Sequence, residues 1–438
     1  MTTLNVQEIK DQVCRTIDEN SELIIQFAQT VEKHPELGFK ETRTAAATVD
    51  FLKKFGFSCR EGLALTGVKT SLSPGAPGPN IAVLGELDAV LCPDSPLADP
   101  LSGASHACGH FLQLAGMLGV AIGLKKSGVA DLLGGNVTFM AVPAEEFIDI
   151  AYRQQLRAAG KIHFLGGKQE LIFQGEFDDV DIAIMFHSQK DSPAPSVLIG
   201  ESSNGFIAKT IQYIGRESHA GEAPDNGINA LNAAMIGLMG IHALRETFRE
   251  KDVVRVHPII TKGGDLVNTV PADVRMETYV RAKTMAAIEA THGKVDRALK
   301  AGGDSVGAQT IIHTIPGYLP LSCPNQLNDI FTQNALQFLA PEHIINAGHF
   351  GGSTDMGDVS HIIPSIHPYV GGIIGALHTK EFRVADYSAA CILPAKLMAM
   401  TIIDLLANNA KHANSIKTSF RPILTKGQYI SQLNTFFS

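Results

Sequence analysis

The stretch SHACGHFLQLAGM, Ser105 to Met117, sets Cys108 and His110 one residue apart, with His106 just before them and an apolar run just after. Alternate residues of an extended segment point to one side. A thiolate and an imidazole can therefore aim at one point here while the chain turns into a helix. Sulfur and nitrogen donors converging in this way suit a divalent metal; a buried cysteine beside two surface histidines is the alternative. Further donors lie at the ends of β-branched, apolar runs. Glu86 and Asp88 close GELDAV, Glu145 and Glu146 close VPAEEF, His187 closes MFHSQ, and His378 follows in GALHTKEF. Open α/β sheets gather their sites at the carboxyl ends of strands. Cys108, His110, Glu146, His187 and His378 make five N, O and S donors, too many for one closed tetrahedral site and suited to two metals that share a bridge. The donor types favour zinc or manganese, with nickel or cobalt as alternatives, and leave open whether one ion or two is held. Neither G-x-S-x-G, nor a P-loop, nor G-x-G-x-x-G occurs, which argues against a serine hydrolase or a nucleotide enzyme.

Elements able to hold these donors are legible. LNVQEIKDQVCRTIDENSELIIQFAQTVEKH has helical apolar spacing and predicts one long helix, ended where His34 precedes Pro35. A second helix covers ETRTAAATVDFLKKF and stops at Gly56. TGVKTSL, NIAVLGEL, NVTFMAV and DIAIMFH read as strands alternating with a helix over about 109–126, the rhythm of an α/β sheet flanked by helices. From Ser203 the order becomes strand–helix–strand–strand–helix–strand, a small α+β sandwich able to stand alone as an insertion. The expected division is 1–202 and 315–438 for the larger domain and 203–314 for the insertion. The polar last two dozen residues predict no clear element.

Of the 438 residues 45% are hydrophobic and 18% charged, which excludes a disordered chain. A net charge of −8 with no basic cluster makes nucleic acid and anionic membranes poor partners. No apolar run reaches the roughly 18 residues of a membrane helix, and the N-terminal stretch lacks a signal-like apolar core. Six scattered cysteines without a C-x-x-C pair fit reduced thiols and a cytoplasmic location.

The stretches HPELGFKE, GELDAV, HACGH, PAEE, GRESHAGEAPDNGINAL, GGDLVNTVPADVRMETYVRA, GGSTDMGDVS and LHTKEF follow one another in that order. With them the chain resembles the binuclear amidohydrolases and dipeptidases related to aminoacylase and carboxypeptidase G. Within these it is most similar to the branch of auxin-conjugate, hippurate and p-aminobenzoyl-glutamate hydrolases and β-alanyl-lysine dipeptidase. The resemblance implies a zinc-peptidase-like catalytic domain with a mixed central sheet, and an inserted lid that also dimerises. It implies that Cys108 bridges the metals, that His110, Glu146, His187 and His378 complete the ligands, and that Glu145 is the general base. Asp88 would orient a ligand. His219 would reach a neighbouring subunit's site, Asn268 and Arg281 would hold the substrate's oxyanion and carboxylate, and Ser353 and Thr354 would bind an anionic end. The implied reaction is metal-assisted hydrolysis of a C–N bond in a small carboxylate-bearing substrate, such as an N-acyl or aminoacyl amino acid, by a homodimer.

Three features depart from the family pattern: Phe111 after HACGH, Glu86, and a longer Pro-rich segment over 91–104. They keep open an offshoot, the nitroanthranilate aminohydrolases, which expel an amine from an aromatic ring. An inactive binding relative would be expected to lose a ligand or the base, yet all six of these positions hold competent residues.

Overall fold

Six strands pair in the order Arg60–Leu63, Gly67–Leu72, Gly134–Val142, Ala76–Glu86, Ile182–Ile184 and Ser365–Ile366. Gly67–Leu72 runs antiparallel to both of its neighbours and the other pairs are parallel, so the sheet is mixed as expected. The structure, a computed structural model, describes residues 5–73 and 76–437. Helix His110–Lys126 packs on the central strand Ala76–Glu86, and every residue from His110 to Leu124 is buried. That burial explains its uniformly apolar sequence. Helix Leu393–Ser419 covers the same sheet and carries Pro394 in its first turn, where a missing N–H costs nothing. It breaks at Ala407–Ala410, where Asn408, Asn409 and Ala410 adopt left-handed conformations. Contrary to the expectation above, the stretch Ser388–Ser419 is long and apolar enough to cross a membrane; 89% of its most apolar window is buried inside the fold.

The expected first helix is two, Val6–Glu19 and Ser21–Glu32. Asn20 leaves the helical region between them, and its side-chain amide donates back to Thr16 O at 2.6 Å. Such local side-chain bonds compete with helix continuation.

The chain divides into two units. One holds the segment ending at Ser202, then Ser322–His349 and Asp358–Lys426. The other holds Ser203–Leu321, Phe350–Gly357 and the segment from Gly427. The insertion thus runs past the expected 314, and the chain after 315 is shared between both units. In the second unit an antiparallel sheet orders Arg255–Val256, Asp273–Ala282, Gly205–Ile214 and Gln309–Pro316, with Ile259–Lys262 also on Asp273–Ala282. Helices Ala230–Leu244 and Met285–Val306 pack on it. Each begins on a side-chain cap, Asn229 to Leu231 N and Asn232 N, and Thr284 to Ala287 N. Gly237 and Gly302 let these helices touch backbone to backbone, since a Cβ on Gly302 would strike Ala233 O and Gly237 N. The tail, whose structure the sequence left open, forms helix Lys426–Thr435 with Tyr429 and Leu433 buried, and Phe436 beyond it joins the core of the second unit.

Candidate metal centre

Five chain segments bring donors to the sheet's rim. Strand Ala76–Glu86 ends on Glu86, and Asp88 follows two residues later; both are wholly buried. Asp88 braces its neighbours. Its main-chain O lies 2.9 Å and its Oδ1 3.3 Å from His110 Nδ1, while its Oδ2 accepts from Glu146 N at 2.9 Å. A carbonyl oxygen only accepts, so His110 Nδ1 carries a proton and Nε2 is the nitrogen that faces inward.

Cys108 and His110 converge by a route other than the expected strand alternation. The extended piece ends at Ser105, the chain turns over His106–Gly109, and His110 is the first residue of its helix. Gly109, at φ +85°, makes that turn, and a Cβ there would strike Ser188 Oγ. The alternative of surface histidines fails as well, because His106 and His110 are both buried. His106 packs against Phe111, and burial, with His110 nearby, pushes it down to about 3. Phe111 is fully enclosed and lines no open pocket. The 91–104 segment is a hairpin loop between Val90–Leu91 and Ala104–Ser105, turned on Asp99, whose Oδ1 accepts from Leu101 N and Ser102 N.

Strand Gly134–Val142 stops before the two glutamates, and Ala144 sits at φ +53°, so Glu145 and Glu146 escape the opposed directions of a regular strand. Two buried groups hold this turn. Glu41 accepts from Ala144 N at 2.8 Å and from Thr66 Oγ1 at 2.7 Å. Arg153 donates to the carbonyls of Ala144 at 3.2 Å, Leu165 at 2.8 Å and Glu146. Sequence reasoning missed Arg153, which looks like an ordinary charge on the helix Ile150–Ala158 yet has no solvent exposure.

His187 bonds through Nδ1 to Ser188 O at 3.0 Å and turns Nε2 to Cys108 Sγ at 3.4 Å. His378, itself at φ +62°, places Nε2 3.2 Å from the same sulfur and 2.9 Å from Glu146 Oε1. Two donor sets result: Cys108 with His110 and His187, and Cys108 with Glu146 and His378. Within each set the donor atoms lie within 4.8 Å of one another, and Cys108 belongs to both. Ligands about 2.0–2.3 Å from one ion lie roughly 3–3.6 Å apart. The separations of 3.2 and 3.4 Å from Cys108 fall in that range, and the 2.9 Å between His378 and Glu146 is slightly tighter.

Charge points the same way. Glu86, Asp88, Cys108, Glu145 and Glu146 share one buried rim, with the cations Lys168 and Arg153 beside them. Burial alone would push the Cys108 thiol up, and Glu146 adds to that. The imidazoles of His110, His187 and His378 outweigh both and bring it down to about 6. Glu146, Cys108 and their neighbours hold His378 up at about 12 against burial. A rim that draws protons onto its histidines this strongly is one where a divalent cation can replace them.

The remaining expected residues lie in the second unit. His219 and Asn268 are exposed on adjoining loops, joined by Ala220 N to Asn268 O at 2.9 Å, and His219 Nδ1 accepts from Glu222 N at 3.0 Å. Arg281 donates to Ser353 Oγ at 2.8 Å and lies over the rings of Phe206 and Tyr279, 4.9 and 5.1 Å from their centroids. Buried Thr354 accepts from Met356 N.

The peptidase dimerisation domain family matches residues 202–305. The Xaa-Arg dipeptidase of Mus musculus is 28% identical over 425 residues, covering 91% of this chain and 89% of its own. A p-aminobenzoyl-glutamate hydrolase polypeptide of Escherichia coli is 27% identical over 338 residues, 76% of this chain and 64% of its own. Among solved structures, a dinuclear metal-binding peptidase of the M20 family from Bacillus subtilis superposes with a TM-score of 0.65 at 21% identity, covering 88% of this chain and 98% of its own.

Proposed function

We propose that the chain is a member of the binuclear metallopeptidase and amidohydrolase family, and that it hydrolyses the C–N bond of a small amino-acid conjugate, an N-acyl or aminoacyl amino acid with a free carboxylate. One observation carries the reading: Cys108 Sγ stands within 3.4 Å of both His187 and His378, the centre of two donor sets. Cys108, His110 and His187 would hold one divalent ion, and Cys108, Glu146 and His378 the other, with zinc or manganese best suited to the donors. Such ions lower the pKa of bound water and polarise a carbonyl.

The chain's own residues do the rest. Glu145 takes the proton of the attacking water and returns it to the leaving nitrogen, a transfer that needs a carboxylate beside the reacting atoms. Asp88 fixes the His110 ring and the Glu146 main chain, so the donors need no reorganisation. Arg281 pairs with the substrate carboxylate through its planar fork, steadied by Phe206, Tyr279 and Ser353, with Thr354 beside it. His219 and Asn268 are assigned to the scissile carbonyl, His219 acting in a partner subunit's site. The homodimer would form through the inserted unit, whose helix Ala230–Leu244 exposes Met235, Ile236 and Met239. With all six cysteines unpaired, we place the protein in the cytoplasm.

The test is a hydrolysis screen with zinc or manganese supplied, using N-acyl amino acids, aminoacyl dipeptides, aminobenzoyl-glutamate and substituted anthranilates. Turnover of the amides by wild type and its loss in Glu145→Gln support the reading. Release of amine from anthranilates alone would move the protein to the aromatic aminohydrolases. A protein that takes up no metal and turns over nothing would be an inactive relative.

A further inference from the structure

We propose that Glu86 is itself a metal ligand, adding a carboxylate to the ion held by Cys108, His110 and His187; this rests on the metal-centre reading above. The strand Ala76–Glu86 delivers this side chain to the rim with no solvent exposure. Its two oxygens have different surroundings. Oε1 accepts from Lys168 Nζ at 2.6 Å, and that lysine is equally buried. Oε2 lies 3.1 Å from His110 Nε2, yet neither atom has a hydrogen-bond partner among the described residues.

His110 Nδ1 is committed to Asp88 O, so Nε2 is the nitrogen left to meet Glu86 Oε2. The two atoms approach to 3.1 Å in a fully buried setting without the alignment of a hydrogen bond, an arrangement that a shared cation satisfies. Two ligands of one ion at about 2.0–2.2 Å stand roughly 3 Å apart, which is the separation seen. Glu145 completes the surroundings: its carboxylate lies 3.9 Å from His110 Nε2, and Glu86, His110 and Glu145 form a third set of donors within 4.8 Å.

Lys168 has the part that outer partners have at metal sites, where a ligating carboxylate is fixed by a donor on its other oxygen. It holds the Glu86 plane so that Oε2 faces inward without a change of rotamer. The two ions are then unlike. One has sulfur, two imidazoles and a carboxylate; the other has sulfur, one imidazole, a carboxylate and the more open side, where the His378 side chain is 51% exposed. The enclosed ion, with four protein donors, is the one expected to bind tighter.

The experiment titrates metal-stripped full-length protein with cobalt(II), following both the visible d–d bands and the sulfur-to-cobalt charge-transfer band from Cys108. Wild type should bind two ions in two resolved steps. Glu86→Gln should weaken one step at least tenfold and alter its d–d bands, leaving the other step and the charge-transfer band in place. Should Glu86→Gln fail to fold because Lys168 is left unpaired, the double variant Glu86→Gln, Lys168→Met removes both charges and answers the same question. Unchanged affinities and bands in the folded variant overturn the proposal, as does equal weakening of both steps. Wild type that binds no cobalt overturns the metal centre itself, a result distinct from either.

Discussion

The rim of the mixed sheet and the loops of the inserted unit around His219 and Asn268 use the same residue types under opposite physical conditions. His110 is wholly buried, its Nδ1 fixed by Asp88, and the turn opposite is held by Glu41 and Arg153. His219 is exposed, and its ring only accepts from the main chain of its own loop. Glu145, the proposed base, sits on a turn locked from two sides, whereas Arg281 lies between two rings and a serine hydroxyl. On the proposed roles, chemistry that tolerates no displacement would be cross-braced through buried main chain, and recognition left to groups that can adjust to the molecule they meet.

That contrast can be broken by substitution. The largest effect is expected at the rim: Glu145→Gln should cut kcat by about 10³-fold or more with metal content intact, whereas Cys108→Ala should lose both, as metal analysis beside steady-state kinetics would show. Full activity in Glu145→Gln would remove its assigned role. Arg153→Met comes next. It strips three carbonyls of a buried cationic donor, so stability should fall by about 3 kcal/mol in urea titration, and kcat should fall with it as the Glu145 turn loosens. In the inserted unit, Arg281→Ala should raise KM about 10- to 100-fold with kcat and stability nearly kept. An equal loss of kcat would mean that the loops are as rigidly coupled to chemistry as the rim. Met239→Glu should shift the sedimentation profile toward monomer by at least tenfold in dissociation constant while the fold is kept. The smallest effect concerns pH. Burial, with Asp88 nearby, raises Glu41 to about 7 from an ordinary 4.5, so the fold holds a proton there that the unfolded chain releases. Its contribution is complete below pH 4.5 and lost as pH rises through 7, and Glu41→Gln should flatten that part of the urea-midpoint profile.

What the sequence revealed follows from how local each signal is. Strand ends with carboxylates, the apolar helix after HACGH, and the strand–helix order after Ser203 are written in neighbouring residues, so the mixed sheet and the insertion were legible. Arg153 was not, because its partners are carbonyls, which every residue supplies and no residue type marks. Lys168 was hidden for a related reason: its partner Glu86 lies 82 residues away, and a buried ion pair has no periodic signature. The break at Asn20 depends on one side chain bonding back to Thr16, a contest with helix continuation that spacing cannot decide. The tail helix carries only Tyr429 and Leu433 inward, too sparse an apolar stripe to stand out.

Phe436 has a consequence for how this protein is made. It occupies the same apolar cluster as Ile211, Val274 and Leu299, although it comes far later in the chain than the last strand of that unit, Gln309–Pro316. A ribosome delivers those strands and helices long before their final aromatic plug emerges. Until then the nascent insertion lacks the ring that completes this cluster, so its core is finished only when the tail arrives.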